Sequence, residues 1–209
     1  MNKSLIVLPF ILGMFMALSL NAQLGIKAGI NLANLSYDPE SSIYSTTVKP
    51  GISVGAFYNL RLSDRFALQP EVDYIQHGAK TEYTLGNTTS KSNSSYTINY
   101  LQIPVLLKMR LVNSLYAQAG PYVGKGLGKA KNELTDADGN KTVLESEFTE
   151  DGVNGPKEWD YGFQVGAGFS ISSRARIDAR YIHGLATVSE SVGTKTFNRG
   201  YNLNLSFYF

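Results

Sequence analysis

The chain contains no cysteine. No disulfide framework can hold its fold, and thiol nucleophiles and thiolate metal sites are excluded. Histidine is nearly as scarce, with only His77 and His183. Two imidazoles without further clustered ligands do not make a zinc site. Past residue 16 the only methionine is Met109, and Trp159 is the only tryptophan in the chain. Beyond Leu5 to Leu20, no stretch approaches the roughly 18 apolar residues of a membrane-spanning helix. Charge of one sign is not in excess either. After residue 22 there are 18 basic and 17 acidic side chains, which gives no sign of nucleic acid or of a polybasic membrane patch.

The apolar run near the start has its own reading. Lys3 carries the only charged side chain before Lys27, Leu5 to Leu20 is apolar or small throughout, and Asn21-Ala22-Gln23 closes it. A charged start, an apolar centre and a small-residue end make a secretory signal peptide, with cleavage expected after Ala22. Residues 1–22 are thus expected to be the signal peptide and 23–209 a single domain. No cysteine follows, which excludes a lipoprotein.

What the chain does have is tyrosine (13 residues), glycine (20) and an alternation of period two. It is clearest at the end, where Tyr201, Leu203, Leu205, Phe207 and Phe209 alternate with Asn202, Asn204, Ser206 and Tyr208. Such a period puts the two sets on opposite faces of a β-strand. A strand ending on an exposed aromatic residue suits the closing strand of a barrel in lipid. Tyr201, Leu203, Leu205, Phe207 and Phe209 resemble the signal read by the bacterial barrel-assembly machinery, a partner expected during biogenesis.

Seven more segments share the period. They lie at about 24–33, 52–61, 66–74, 101–111, 115–123, 159–171 and 175–182. Three connections are short: Ser63-Asp64-Arg65, Val112-Asn113-Ser114 and Ser172-Ser173-Arg174. The alternate ones, 36–49, 78–97, 125–158 and 185–199, are long. Strict alternation of short turns and long loops predicts an all-β fold: an eight-stranded antiparallel up-and-down transmembrane β-barrel in an outer membrane. The more continuous apolar face must look out into lipid, because the other face collects Lys27, Arg61, Glu71, Asp73, Lys108, Arg110, Arg176, Asp178 and Arg180. Eight strands leave an interior just wide enough for side chains. These nine residues are therefore expected to form a lumen charge network that fills the barrel, with a narrow anion-selective channel as the alternative. Pro104 lacks a ladder donor in mid-strand and marks either a bulge or a kink.

Catalytic chemistry finds little footing, and no enzyme activity or cofactor is expected. A lipid-modifying enzyme would have to use His183 or His77 near the loop ends, with Ser189 and Glu190 close by in sequence. Asp136-Ala137-Asp138-Gly139-Asn140 with Glu147 resembles a calcium loop but has Lys141 at the sixth position. A turn at Asp138-Gly139 joining Lys131–Thr135 to Lys141–Glu145 is the expected structure. Gly86 to Thr97, almost all Asn, Ser, Thr and Gly, is expected to remain a loop with too little apolar surface to order itself. Tyr44, Tyr83, Tyr96, Trp159 and Tyr161 are candidates for an aromatic belt.

With the strands in place, the chain resembles the PorT-like outer-membrane β-barrel family of Bacteroidetes. The similarity lies in Leu24-Gly25-Ile26-Lys27-Ala28-Gly29-Ile30-Asn31-Leu32-Ala33-Asn34-Leu35, in Tyr100 to Lys108, and in Gly162 to Gly168 followed by Asp178-Ala179-Arg180-Tyr181. It implies an eight-stranded barrel in the outer membrane of a Gram-negative bacterium. The name-giving member is tied to protein secretion across that membrane, so the resemblance carries a secretion accessory as an alternative role. The primary expectation is a monomeric, non-enzymatic protein with a structural or binding role. Its surroundings are outer-membrane lipid, and a protein partner would meet it at the extracellular loops or the periplasmic face.

Overall fold

The structure is a computed structural model that describes residues 22–38, 45–84, 91–136, 139–152, 155–191 and 194–209. Eleven strands form one sheet: β1 (Ala22–Asp38), β2 (Ser45–Thr47), β3 (Lys49–Arg61), β4 (Phe66–Thr84), β5 (Lys91–Arg110), β6 (Leu115–Gly126), β7 (Ala130–Thr135), β8 (Lys141–Ser146), β9 (Trp159–Ser170), β10 (Ala175–Ser191) and β11 (Thr194–Tyr208). Eight of them close a ring. Around it, β1 pairs with β3, β3 with β4, β4 with β5, β5 with β6, β6 with β9, β9 with β10, β10 with β11, and β11 returns to β1, every pairing antiparallel. Closure satisfies every wall strand on both sides and leaves no free edge in the ring.

The ring turns one set of side chains inward and the other outward. On β11, Asn202, Asn204, Ser206 and Tyr208 are buried, while Tyr201, Leu203, Leu205 and Phe207, and Phe209 just past the strand, are exposed. The same holds for Leu24, Ile26 and Ile30 on β1, Leu101 to Met109 at odd positions on β5, and Trp159 to Phe169 at odd positions on β9. This apolar surface encircles the whole wall, far beyond the patches a water-soluble monomer tolerates.

The three short turns lie together at one end. In two of them a serine hydroxyl organises the chain: Ser63 Oγ accepts from the Phe66 amide at 3.1 Å, and Ser172 Oγ accepts from the Ala175 amide at 3.0 Å. Ser–x–Arg turns of this kind free no backbone donor for the interior.

The other end differs from expectation. β4 runs to Thr84 and pairs there with Lys91 at the start of β5, so residues 91–97 are strand and not loop. β10 reaches Ser191 and β11 begins at Thr194, which shortens the loop expected at 185–199. The ladder continues because adjoining strands supply hydrogen-bond partners whatever the side chains are. Single-sequence composition is blind to that. Residues 1–21, and the turn expected at Asp138, fall outside the described residues.

Pro104 faces inward and is buried, and the register with β6 is the same on both sides of it, so no residue is inserted there. A bulge at Pro104 is thereby excluded. The register shifts instead on β10 against β11, between His183 and Thr187 and again between Thr187 and Ser189.

Candidate functional site: a filled interior and an outer sheet

The interior is layered. Its middle layer comes from strand positions that alternation alone assigns to the inside. Arg180 on β10 is buried to 2% exposure and donates two hydrogen bonds to the Glu71 carboxylate of β4, at 2.7 and 3.1 Å. Its Nε donates to Asp178 at 2.6 Å. Lys27 of β1 pairs with Glu71 and, at 2.7 Å, with Asp73. Amides and a hydroxyl add to it: Gln69 donates to Glu71 at 2.6 Å, Gln118 and Asn204 donate to Asp178 at 3.1 and 3.2 Å, and Ser53 donates to Asn204 at 3.0 Å, while one oxygen each of Asp73 and Asp178 is buried without a hydrogen-bond partner. Buried charges persist only when paired and hydrogen-bonded in this way. Gly55 makes room for the network, since a Cβ there would collide with the Asp73 carboxylate.

The structure divides the nine charged residues singled out in the sequence. Lys27, Glu71, Asp73, Asp178 and Arg180 meet in the middle layer. Lys108 and Arg176 sit below it toward the short turns, where both approach the Tyr208 hydroxyl, at 3.4 and 2.8 Å. Arg61 and Arg110 do not join the network. They stand exposed at the short-turn rim. Asp160 was missed in the sequence. It is fully buried above the network and accepts from Tyr122 at 3.1 Å and Asn198 at 3.0 Å. Its place between outward Trp159 and Tyr161 was the signal that would have found it.

The upper layer is apolar and lidded. Ile75, Ile98, Tyr100, Tyr122, Ala130, Ile182 and Val188 form a buried cluster, with Tyr96 and Phe148 packed on it. Phe148 belongs to the segment between β8 and β9, which folds back over the mouth. Three hydrogen bonds pin that segment: Lys157 N to Val188 O at 2.7 Å, Glu190 N to Gly152 O at 3.0 Å, and Tyr100 Oη to Lys157 O at 3.2 Å. Tyr96, a candidate for the aromatic belt, thus packs on the interior cluster. Trp159 and Tyr161 do face outward. Tyr44 and the side chain of Tyr83 lie outside the described residues.

Phe148 fits because Gly126 leaves space for its ring, which a Cβ would meet. Gly126→Leu should therefore expel the ring. Cleavage after Phe148 by chymotrypsin should rise about tenfold, the opening expected of roughly 1.4 kcal/mol of local overpacking, while the wall resists digestion. Unchanged cleavage would mean that the segment is held without the ring.

Among the described residues neither histidine meets a serine or a carboxylate in a catalytic arrangement. His77 is fully buried, with Gln102 Nε2 at 3.1 Å from its Nε2. His183 faces outward, stacked on Phe163 at 4.8 Å. Ser189 donates to the Gly152 carbonyl at 3.1 Å. Glu147 is ion-paired with Lys129 at 3.4 Å. The hairpin expected around Gly139 is present, as β7 and β8, with Thr135 opposite Lys141. It extends the sheet from the outer part of β5, where Asn93 pairs with Thr135.

A closed ring of eight antiparallel strands, apolar outside and ion-paired inside, with short turns at one end and an extended sheet at the other, defines a transmembrane β-barrel. The chain belongs to the outer membrane protein beta-barrel domain family, whose profile matches residues 15–190, and it is an outer-membrane protein. The closing strand β11 lies past the end of that match. No curated protein matches the sequence. Among solved structures, Neisserial surface protein A (NspA) has a similar fold, with a TM-score of 0.51 at 13% identity over 90% of this chain and 99% of that one. Ail, the attachment invasion locus protein of Yersinia pestis, aligns at a TM-score of 0.40 and 12% identity over 90% and 100% of the two chains.

Barrels of this class keep short turns in the periplasm and long connections outside. Cysteines at Asn93 and Val143 should react with an impermeant thiol reagent on whole cells, and cysteines at Asp64 and Asn113 should react only after lysis. Equal labelling of all four on intact cells would contradict the orientation.

Proposed function

We propose that this protein is a non-enzymatic, monomeric outer-membrane barrel that presents its outer sheet to a protein partner at the cell surface. The observation that carries this reading is the free edge of β8. Among the described residues β8 pairs only with β7, and every side chain from Lys141 to Glu145 is exposed. Val143 and Leu144 stand out, at 53% and 52% exposure, in a sheet that has left the lipid. An open strand edge offers a row of unpaired amides and carbonyls to which an extended segment of a partner can add, and the adjacent apolar side chains give such an addition specificity. The filled, lidded interior supports a scaffold over a channel, and the separation of His77 from His183 supports a protein without catalysis.

In this reading residues 1–22 direct export, and Tyr201, Leu203, Leu205, Phe207 and Phe209 engage the assembly machinery. A second reading follows from the PorT-like segments around Leu24, Tyr100 and Gly162: an accessory to protein secretion, met by its partner from the periplasm. A photo-crosslinking residue at Val143, and separately at Asp64, distinguishes the two in living cells. A discrete adduct from position 143 that is lost with Leu144→Pro is expected. An adduct from position 64 alone would favour secretion, and none from position 143 would overturn the surface-partner reading.

A further inference from the structure

The periplasmic mouth carries an excess of positive charge that the rest of the molecule does not use. Glu71, Asp73 and Asp178 are all engaged in the middle layer with Lys27 and Arg180. Below them, Lys108 is buried to 4% exposure; it feels the Asp178 and Glu71 carboxylates only from beyond ion-pair distance, and its direct contacts among the described residues are the Tyr208 hydroxyl and the face of Tyr116, at 4.6 Å from the ring centroid. Arg176 shares the same hydroxyl and lies over the Tyr208 ring at 4.1 Å. Its Nε is buried without a hydrogen-bond partner, as is the hydroxyl of Tyr116, a side chain 6% exposed. Among the described residues neither cation forms an ion pair. Arg61, Arg65 and Arg110 complete the rim, also without ion pairs among the described residues, and Asp64 is the one acid lining it. These groups line a recess of about 120 Å³ open toward the periplasm.

Five cations around one small recess, Lys108 and Arg176 drawn into the protein, repel one another unless something negative sits between them. Their shared neighbour, a tyrosine hydroxyl, is neutral and already donates to Gln69 at 3.3 Å. The buried Nε of Arg176 and the Tyr116 hydroxyl supply directed donors beside the two charges, the combination that holds tetrahedral oxyanions through charge-assisted hydrogen bonds. No residue of the Arg180 network lines the recess.

We infer that the periplasmic mouth is a binding site for a phosphate group, held by Lys108, Arg110, Arg176 and Arg61 with the Tyr116 hydroxyl. The group can arrive as a soluble phosphate or as the headgroup of a phospholipid of the inner leaflet, which lines the same rim.

The test uses the full mature barrel folded in a neutral maltoside detergent, titrated with inorganic phosphate against sodium chloride at constant ionic strength. Saturable binding of phosphate above chloride is expected. Its Kd should rise about tenfold or more in Arg110→Gln and in Arg176→Gln, and stay unchanged in Arg199→Gln at the other end of the barrel. Arg110 is exposed at the rim, so its variant tests the site even where Arg176→Gln disturbs folding. In a parallel arm, short-chain phosphatidic acid below its micelle concentration competes with phosphate. Tighter binding of the lipid assigns the site to a headgroup, and weaker binding assigns it to the free ion. Identical responses to phosphate and chloride, or equal Kd values in all three variants, would overturn the proposal.

Discussion

Arg180→Met should lower the stability of the folded barrel by about 3–5 kcal/mol, the loss expected when one partner of a buried ion-paired group is removed. The guanidinium is the common neighbour of Glu71 and Asp178, and its bonds join β10 to β4 across the lumen. Without it, Glu71 keeps only Lys27 as a cationic partner, and Asp178 keeps two amides. The loss therefore comes mostly from two buried carboxylates left with too little compensation for their charge. It follows that Arg180→Met combined with Glu71→Gln and Asp178→Asn should recover most of the stability, because neutral amides carry no uncompensated charge. Urea unfolding in lipid, followed by tryptophan fluorescence or heat-modified mobility, measures both. A triple variant no more stable than Arg180→Met would show that the arginine acts through packing alone.

The second large effect lies on the opposite face of the wall. Leu203 pairs with Ile30 and Ala179, beside the residues opposite Arg180, and its side chain is half exposed on the outer surface. At that depth Leu203→Arg should cost about 2–4 kcal/mol, the penalty for a cation facing hydrocarbon near the bilayer midplane. Val143→Arg, with almost the same exposure but on β8 outside the lipid, should stay within about 0.5 kcal/mol. Similar exposure with unequal cost is the signature of two different solvents. Equal costs would mean that Leu203 does not face lipid.

Much of this was legible because the membrane imposes period two. Where a strand crosses lipid, outward residues must be apolar, so Leu101, Ile103, Val105, Leu107 and Met109 announce β5 and leave Gln102 and Lys108 to the inside. Past the lipid that demand ends. Outward positions such as Lys80, Ser95 and Thr97 turn polar, the alternation fades, and the ladder nonetheless runs on to Thr84 and Lys91. Hence the outer parts of β4, β5, β10 and β11 read as loops.

The interior was legible as a set of charges but not as a pairing. Inward parity places Arg110 and Arg180 on the same face. Only the stagger of the strands puts Arg180 beside Glu71 and leaves Arg110 at the rim. The Phe148 lid gave no periodic signal, because one ring resting on one glycine leaves none.

The account rests on an apolar exterior facing lipid and a polar interior. Spin labels placed singly from Tyr201 to Tyr208, in the barrel reconstituted into bilayers, test it most directly. Labels at 201, 203, 205 and 207 should be accessible to oxygen and shielded from a water-soluble nickel chelate. Labels at 202, 204, 206 and 208 should be immobile and inaccessible to oxygen. The reverse alternation, or no alternation along the strand, would contradict the barrel described here.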